Sequence, residues 1–532
     1  MGQTSSKTDL NTIAVAGAGT MGSGIALAAL LAGLRAILYD IDEALLERAR
    51  DYIEGHLQRK QRAINIKYLS LTSDVSKFQP AGVVIEAIPE DLSLKQELFR
   101  RLDQICPPPA ILATNTSTLS VTAIAGAVTS PERVAGMHFF NPAPVLPLVE
   151  VVRGARSSPA TVQSLTDLAK KMGKTPVVAG DTPGFIVNRV ARPFYGEALR
   201  LLGEGAASHD QIDRLLREAG GFKMGPFELM DLIGIDINFT ATQSMYEQTF
   251  LEPRYRPHIL QARMVQDNAL GRKTGRGFYT YDSPGPRTET SPEPVSPLAP
   301  GSTVLLCEGS WAPGIKELNQ EAGLDLRVVQ AEESSQAEAT PEAVAGIAVA
   351  GRHEGLGQAI RVLDRMLEPG APLFVQCADI TLAEAASYAK YHPHRLVGFD
   401  GLFFSNGPAA SLVAAPKLAP QVRQAALSYL AGLGKSGVWV QDSPGLVLPR
   451  LVCMLANEAA FALGEGVAEA ATIDLAMQLG TNYPKGPLEW AAQLGYNRVV
   501  TVLEHLHNEY GEERYRISPL LKRWARLEQL EA

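Results

Sequence analysis

Short apolar runs alternate with amphipathic stretches through the first third of the chain. A helical pattern follows the first run as far as about Ala32, and another covers 43–64. The apolar runs predict strands at 12–16, 35–40, 83–88, 110–114, 133–139 and 148–152. Strands that alternate with helices in this way are typical of a parallel, doubly wound α/β sheet.

The pattern becomes helical near Asp181 and changes twice more along the 532 residues. A long helix is predicted over 185–203, and a segment rich in Pro, Ser and Thr, which is typical of a linker, precedes a return to α/β character. The chain is too long for one core. We therefore predict an α/β domain at 1–182, an all-α domain at 183–282, a Pro-rich linker at 283–301, a reduced α/β domain at 302–437 and a second all-α domain at 438–532.

The second half of the chain repeats the first. DTPGFIVNR (181–189) recurs as DSPGLVLPR (442–450), and MGPFEL (224–229) recurs as KGPLEW (485–490). Both pairs share an offset of 261 residues. An ungapped match at such anchors indicates an internal duplication. The two α/β segments resemble each other much less.

A G-x-G-x-x-G motif lies between the first predicted strand and helix. Its glycines are Gly17, Gly19 and Gly22, and Thr20 and Met21 lie between the last two. The first glycine permits a tight turn, the second lets a pyrophosphate approach the backbone, and the third allows close packing of helix on strand. The helix N-terminus that follows favours an anion. The motif predicts a dinucleotide site.

An acidic residue in the expected place completes this fingerprint. Asp40 ends the second predicted strand, about twenty residues after the motif, where a carboxylate can accept hydrogen bonds from a ribose 2′-hydroxyl. A carboxylate there repels a 2′-phosphate, so NAD is predicted rather than NADP. In the second half Glu308, Ser310 and Pro313 face the three glycines, which predicts one cofactor site per chain.

The composition limits the classes of molecule that the protein is expected to bind. The net charge of −8 and the pI of about 5.7 argue against nucleic acid or an anionic membrane, which require a basic surface. No apolar run is long enough to span a bilayer, the four cysteines are scattered, and a cytoplasmic location is expected. Gly2 and Ser6 fit a short lipidation pattern, but a disordered polar leader is the preferred interpretation. The pairs H-P-H (392–394) and H-L-H (505–507) are interpreted as surface histidines, and no metal site is predicted.

A set of motifs in one order carries a family resemblance. E-A-I-P-E-D-L-x-x-K (86–95), N-T-S (115–117), H-F-F-N-P (138–142), L-V-E-V (148–151) and D-T-P-G-F-I-V-N-R (181–189) resemble the 3-hydroxyacyl-CoA dehydrogenase family over residues 12–282. The duplicated C-terminal half is similar to the 3-hydroxybutyryl-CoA and 3-hydroxyadipyl-CoA dehydrogenases of the phenylacetate-degradation type. The resemblance implies a Rossmann-like NAD-binding α/β domain with an all-α domain, followed by a degenerate α/β domain and a second all-α domain.

The resemblance also implies roles for individual residues. His138 matches the general base, and an imidazole titrates near neutral pH, which suits proton transfer. Glu150 matches the acidic partner that orients it. Ser117 and Asn188 match polar residues around the substrate oxygens, although Ser117 could instead cap a helix and Asn188 could be structural.

Further residues match the surroundings of the cofactor. These are Glu90, Lys95, Asn115, Asn141 and Lys273. For several of them a solvated charge or a loop contact is the competing interpretation. In the second half the histidine position falls on Asp400 with a shift of one residue, the position of Glu150 falls near Leu412, and that of Asn188 falls on Pro449. The second half is therefore expected to lack the catalytic pair.

The function implied is NAD-dependent oxidation of a short (3S)-3-hydroxyacyl-CoA, as in β-oxidation of fatty acids. The expected partner is an acyl-CoA, and the expected assembly is a homodimer or a pseudo-dimeric monomer paired through the duplicated helical domains. Two alternatives stay open at this point. One is a dehydrogenase of a free hydroxy acid, which would need a basic residue for the carboxylate, and the other is a non-catalytic NAD-binding scaffold.

Overall fold

The computed structural model describes residues 10–59, 66–281, 295–331 and 339–531. They form two compact units, one within 1–190 and 462–482 and the other within 191–461 and 483–532. The predicted leader with Gly2 and Ser6 and most of the predicted linker lie outside the described residues. The bounds of the four predicted domains and the linker stay a prediction. No helix in the described ranges is long and apolar enough to cross a membrane.

The first unit is built around an eight-stranded sheet with the order β3-β2-β1-β4-β5-β6-β7-β8. Its strands are β1 (Thr12–Ala16), β2 (Arg35–Tyr39), β3 (Leu69–Thr72), β4 (Val83–Glu86), β5 (Ile111–Thr114), β6 (Val134–Phe139), β7 (Leu148–Arg153) and β8 (Thr175–Gly180). Its helices are α1 (Thr20–Leu31), α2 (Glu43–Arg59), α3 (Leu92–Ile105), α4 (Val121–Ala125), α5 (Pro159–Lys171) and α6 (Val187–Val190). The six predicted strands are confirmed, whereas β3 and β8 were not predicted.

The strands of this sheet run parallel from β3 to β6, and the direction changes between β6 and β7. The first six strands are parallel in the order 3-2-1-4-5-6, which is the arrangement that binds dinucleotides at the carboxyl ends of the strands. β6 and β7 are antiparallel, so residues on them face each other directly. The central strands are buried and apolar, as a sheet covered on both faces requires.

One helix differs from its sequence prediction. The helix predicted over 185–203 is interrupted at Ala191, so that α6 ends at Val190 and α7 begins at Arg192. Pro193 lies in the first turn of α7, where a proline is tolerated because the N–H there has no helical partner, but a continuous helix would need that N–H. The helix predicted over 43–64 is described to Arg59, and its remainder lies outside the described residues.

The second unit contains the remaining helices and a second sheet, while one helix of the second half, α17, belongs to the first unit. The strands are β9 (Thr303–Cys307), β10 (Asp325–Val329), β11 (Ala343–Ala348), β12 (Leu373–Gln376), β13 (Leu396–Phe399), β14 (Ala409–Ala414) and β15 (Ser436–Val440). The helices that follow α6 are α7 (Arg192–Gly203), α8 (His209–Glu218), α9 (Pro226–Ile233), α10 (Ile235–Gln248), α11 (Ile259–Gln266), α12 (Ile315–Glu321), α13 (Leu356–Met366), α14 (Leu382–Ala386), α15 (Pro420–Gly432), α16 (Leu448–Gly464), α17 (Ala470–Thr481), α18 (Pro487–Leu494), α19 (Tyr496–Tyr510) and α20 (Pro519–Glu531).

The second sheet is a reduced copy of the first. Its order is β10-β9-β11-β12-β13-β14-β15, with a single antiparallel pair between β13 and β14. Within the described residues it has no counterpart of β3. The predicted sequence of a complete α/β domain, a helical domain, a degenerate α/β domain and a second helical domain is therefore confirmed as the fold.

Buried ion pairs join the two helical repeats within the second unit. Glu197 from the first repeat accepts hydrogen bonds from Arg514 (3.2 Å) and the Tyr515 hydroxyl (3.0 Å) of the second repeat. Glu458, its counterpart at the offset of 261, accepts them from Arg254 (2.7 Å) and the Tyr255 hydroxyl (2.6 Å) of the first. Such reciprocal contacts are the signature of a two-fold interface, here within one chain.

Glu197 is also bound by Arg450 at 2.9 Å. Burial raises the pKa of Glu197, but the charges of Arg450 and Arg514 outweigh it, and the pKa is held below its ordinary value. Glu197 is therefore the negative charge that balances two buried guanidinium groups.

Removing this carboxylate should destabilise the protein strongly. In Glu197→Ala the guanidinium groups of Arg450 and Arg514 stay buried without their shared counter-charge, which is expected to lower the free energy of unfolding by about 3–5 kcal/mol. Asp325→Ala, which breaks the exposed pair with Arg327, is the control and should cost at most about 1 kcal/mol. Chemical denaturation measures both. Equal effects would contradict the assignment.

Candidate active site

The loop between β1 and α1 has the shape that the glycine motif predicts. Gly17 has a φ of +106°, and an added Cβ would lie 2.5 Å from the carbonyl oxygen of Ala87. A Cβ on Gly22 would collide with the carbonyl oxygen of Gly17. Around Gly19, by contrast, no heavy atom of the described residues lies within 4 Å of an added Cβ. The backbone is thus closed at two glycines and open at the third.

A cavity of about 770 Å³ lies beside this open backbone, within the first unit. It is lined by Gly19, Thr20, Met21 and Asp40 among others. α1 begins at Thr20 without a side-chain cap, so its first N–H groups are not covered by a capping side chain. The Asp40 carboxylate is held at the end of β2, where its Oδ2 accepts the N–H of Ala18 at 2.7 Å.

These features fit NAD. The open space at Gly19 and the uncapped start of α1 suit a pyrophosphate, since helix N-termini favour anions. Asp40 retains lone pairs for a ribose hydroxyl, because each carboxylate oxygen can accept two hydrogen bonds.

His138 and Glu150 form a buried pair on adjacent strands. They are direct register partners across the antiparallel β6 and β7, and their Nδ1 and Oε2 atoms lie 2.8 Å apart. An ionised carboxylate can only accept, so Nδ1 carries the hydrogen of this bond. The other ring nitrogen, Nε2, is then the basic position. Both side chains are buried, and the ring of Phe140 packs on the imidazole at 4.6 Å between centroids.

The second oxygen of Glu150 is also fully engaged. Its Oε1 accepts the backbone N–H groups of Ile186 and Val187, each at 3.0 Å. Three donors therefore satisfy a carboxylate that is completely buried, as a buried charge requires. This arrangement ties β7 to the start of α6.

The loop that carries Ser117 is held by Glu90. Oε1 of Glu90 accepts the N–H of Ser117 at 2.9 Å, the hydroxyl of Thr116 at 2.6 Å and the N–H of Thr118 at 3.1 Å. Although burial raises the pKa of Glu90, the charge of Lys95 and these hydrogen bonds outweigh it and lower the pKa to about 2. Glu90 is consequently ionised and clamps the loop.

Lys95 pairs with Glu90, the residue that holds this loop. Its Nζ lies 3.2 Å from Oε2 of Glu90 and 2.5 Å from Oε1 of Glu86, and it is almost completely buried. Burial raises the pKa of Glu86, which also accepts the hydroxyl of Thr114. In the structure, therefore, Glu90 holds the Ser117 loop and Lys95 pairs with Glu90. The family-based assignment to the cofactor surroundings stays a prediction.

Asn188 lies next to the serine loop. Its Nδ2 donates to the carbonyl oxygen of Ser117 at 3.4 Å, and it directly follows the two N–H groups that hold Glu150. The structure therefore brings His138, Glu150, Ser117 and Asn188 together within the first unit.

The other predicted residues are placed as follows. Oδ1 of Asn115 accepts the N–H of Phe139 at 2.8 Å, next to His138. Asn141 is exposed just beyond the end of β6. Lys273 belongs to the second unit, where its ammonium pairs with Asp236.

Asp181 is a supporting residue that sequence reasoning missed. Its carboxylate accepts the N–H groups of Val121 (3.0 Å) and Thr122 (2.7 Å) at the start of α4, just after the Ser117 loop. Asp442, at the offset of 261, does the same for Leu382 and Ala383 of the second half. The recurrence of this aspartate in both copies of the motif was the available signal.

The second sheet has no histidine–glutamate pair at the corresponding positions, as expected. The register partners that correspond to His138 and Glu150 are Phe399 and Leu412. Asp400 lies one residue further along, and burial raises its pKa to about 7.

Comparison with known proteins gives the family. Residues 12–182 match the model of the 3-hydroxyacyl-CoA dehydrogenase NAD binding domain. Residues 184–281 and 445–532 both match that of the 3-hydroxyacyl-CoA dehydrogenase C-terminal domain, which agrees with the duplication.

Individual relatives of the chain are also named as dehydrogenases of 3-hydroxyacyl-CoA thioesters. The chain is 38% identical over 529 residues to 3-hydroxyadipyl-CoA dehydrogenase of Escherichia coli K12, with 98% of each chain covered. It is 41% identical to a probable 3-hydroxybutyryl-CoA dehydrogenase of Bacillus subtilis, over 52% of this chain and 98% of the relative. A crystal structure of 3-hydroxybutyryl-CoA dehydrogenase from Escherichia coli K12 matches with a TM-score of 0.79 at 37% identity, covering 98% of this chain and 99% of that chain. The protein is thus an NAD-dependent oxidoreductase, and the chain belongs to the 3-hydroxyacyl-CoA dehydrogenase family.

Proposed function

We propose that this enzyme oxidises the 3-hydroxyl of short (3S)-3-hydroxyacyl-CoA thioesters and that His138 is the general base, oriented by Glu150. The observation that carries the proposal is the buried pair across β6 and β7, with Nδ1 of His138 on the carboxylate at 2.8 Å. This bond fixes the tautomer and leaves Nε2 as the acceptor for the hydroxyl proton.

In an alcohol oxidation, His138 and Glu150 would carry out the removal of the hydroxyl proton. As the hydroxyl proton passes to Nε2, the imidazole becomes positively charged, and the adjacent Glu150 carboxylate stabilises that charge. NAD, when bound, supplies the acceptor for the hydride that leaves C3. The N–H groups of Ile186 and Val187 keep Glu150 in place throughout, because they occupy its other oxygen.

Ser117 and Asn188 hold the substrate oxygens in this proposal. Both side chains are half-buried and adjacent, and each can donate a hydrogen bond. Donors set in advance around an oxygen that gains carbonyl character stabilise the developing charge. Glu90 contributes by fixing the loop that carries Ser117.

The cofactor residues follow the same logic. Gly17, Gly19 and Gly22 shape the phosphate loop, with Thr20 and Met21 at the helix start, and Asp40 binds the ribose. Glu90, Lys95 and Asn141 are proposed from the family resemblance alone to act near the nicotinamide and its ribose. On the same ground, Asn115 and Lys273 are proposed to bind the cofactor.

The names of the relatives support the choice of substrate. The relative that matches over the whole length is named for 3-hydroxyadipyl-CoA, and the half-length relative is named for 3-hydroxybutyryl-CoA. We therefore propose short acyl chains, with or without a terminal carboxylate. The relative kcat/KM values for acetoacetyl-CoA and 3-oxoadipyl-CoA, measured in the reductive direction, decide between the two.

The role of His138 is tested by NADH consumption with acetoacetyl-CoA. His138→Ala should lower kcat by roughly a hundredfold or more, because the general acid–base group is lost. The control is His394→Ala, which removes an exposed histidine of the second half and should leave kcat unchanged. Full activity of His138→Ala would refute the proposed base. Tight NADH binding by the wild type with no turnover of either thioester would favour the free hydroxy acid or the scaffold.

The role of Asp40 is tested by cofactor preference. Asp40→Asn should raise the KM for NAD about tenfold, since it weakens a charge-assisted hydrogen bond to the ribose. The ratio of kcat/KM with NAD to kcat/KM with NADP should also fall, because the charge that repels a 2′-phosphate is gone. Asp74→Asn, the same charge change at an exposed residue of this unit, should alter neither constant. An unchanged preference in Asp40→Asn would contradict the assignment.

A further inference from the structure

The catalytic segment 180–190 is in contact with a segment from the second half of the chain. The N–H of Gly180 donates to the carbonyl oxygen of Val467 at 2.8 Å. At the other end of the segment, Arg189 pairs with Glu465 at 2.8 Å. Between these contacts lie the two N–H groups that hold Glu150, and Asn188. The contacts therefore bracket the part of the chain that orients the catalytic pair.

The helix α17 packs directly behind the same residues. At Gly480 an added Cβ would lie 2.8 Å from Cδ2 of Leu148 and 3.0 Å from Cγ2 of Val187. Leu148 begins β7, the strand of Glu150, and Val187 donates one of the hydrogen bonds to Glu150. The close approach depends on the absence of a side chain at position 480.

We propose that residues 462–482 of the second half position the catalytic pair of the first half, with Glu465 and Gly480 as positioning residues. This inference rests on the proposed function of His138 and Glu150. The duplicated half has lost its own catalytic pair, and in this account it serves the remaining one.

The two partners of the Arg189–Glu465 ion pair differ in their exposure to solvent. Its side chain is 48% exposed, whereas that of Arg189 is 5% exposed. Solvent screens the Glu465 carboxylate in part, and Glu465→Gln keeps an oxygen that can accept a hydrogen bond from Arg189, so thermal unfolding is measured beside kcat. The ion pair fixes the direction of the Arg189 side chain, one residue after Asn188.

The duplication provides a matched control inside the same chain. At the offset of 261, Arg450 corresponds to Arg189 and Glu204 corresponds to Glu465, and these two also pair, at 3.0 Å. The N–H of Gln441 likewise donates to the carbonyl oxygen of Ala206 at 2.8 Å, which mirrors the contact of Gly180. This mirror contact adjoins a sheet with Phe399 and Leu412 in place of the catalytic pair.

The experiment compares Glu465→Gln, Gly480→Ala and Glu204→Gln in the full-length protein. NADH consumption with acetoacetyl-CoA gives kcat and the KM for NADH, and thermal unfolding monitors folding. Glu465→Gln and Gly480→Ala should each lower kcat roughly tenfold, because small displacements of catalytic groups are costly. The KM for NADH should not change, since the phosphate loop and Asp40 are untouched. Glu204→Gln should keep the wild-type kcat.

Two results would overturn the proposal. One is wild-type kcat in Glu465→Gln, which decides the matter even if Gly480→Ala does not fold. The other is an equal loss of kcat in Glu204→Gln, which would mean that any break between the repeats impairs the enzyme. Activity of His138→Ala reports separately on the proposed base, so that failure of the positioning role alone leaves His138→Ala inactive.

Discussion

The buried carboxylate of Glu150 is the contact on which the active site depends. It joins the imidazole of His138 on one strand, its own strand β7, and the backbone of Ile186 and Val187. A buried charge with fewer partners would be costly, so each donor contributes to stability. The single antiparallel pair at this side of the sheet makes the contact possible, because it sets His138 and Glu150 directly opposite each other.

The two copies of the duplication share structural contacts but differ at the positions of His138 and Glu150. Contacts between the repeats recur on both sides, as the pairs Arg189–Glu465 and Arg450–Glu204 illustrate. The histidine–glutamate pair does not recur, since Phe399 and Leu412 are the register partners at the corresponding positions. Both copies of the fold thus share the contacts between the repeats, whereas the His138–Glu150 pair is present in the first copy alone among the described residues. The reciprocal contacts suit the pseudo-dimeric monomer predicted from the sequence, while the number of chains in the assembly stays a prediction.

Local patterns predicted most of the first sheet and the cofactor loop. The glycine motif and Asp40 could be identified directly, because this fingerprint has a fixed spacing along the chain from strand to helix to the end of the next strand. β3 and β8 were missed since both are edge strands, and β8 contains Pro176 and ends at Gly180, which weaken a strand pattern. The break at Ala191 was missed because the apolar periodicity continues across Pro193.

Long-range contacts could not be predicted from one sequence. The family resemblance placed Glu90 near the cofactor, but only coordinates reveal that it holds the loop of Ser117. Similarly, nothing local to residues 462–482 indicates that they belong to the first unit. Contacts of this kind join segments that are far apart in sequence. The residue pattern of one segment does not indicate which other segment it contacts.

The central claim, that Glu150 acts by stabilising the charged imidazole of His138, is tested most directly by the pH dependence of kcat/KM for hydroxyacyl-CoA oxidation. Wild type and Glu150→Gln are compared, with retained NADH binding as evidence that the variant is folded. Loss of the carboxylate charge should lower the maximal rate and move the half-maximal pH of the acidic limb downward, because the imidazolium loses its partner. An unchanged half-maximal pH with an unchanged maximal rate would contradict the account.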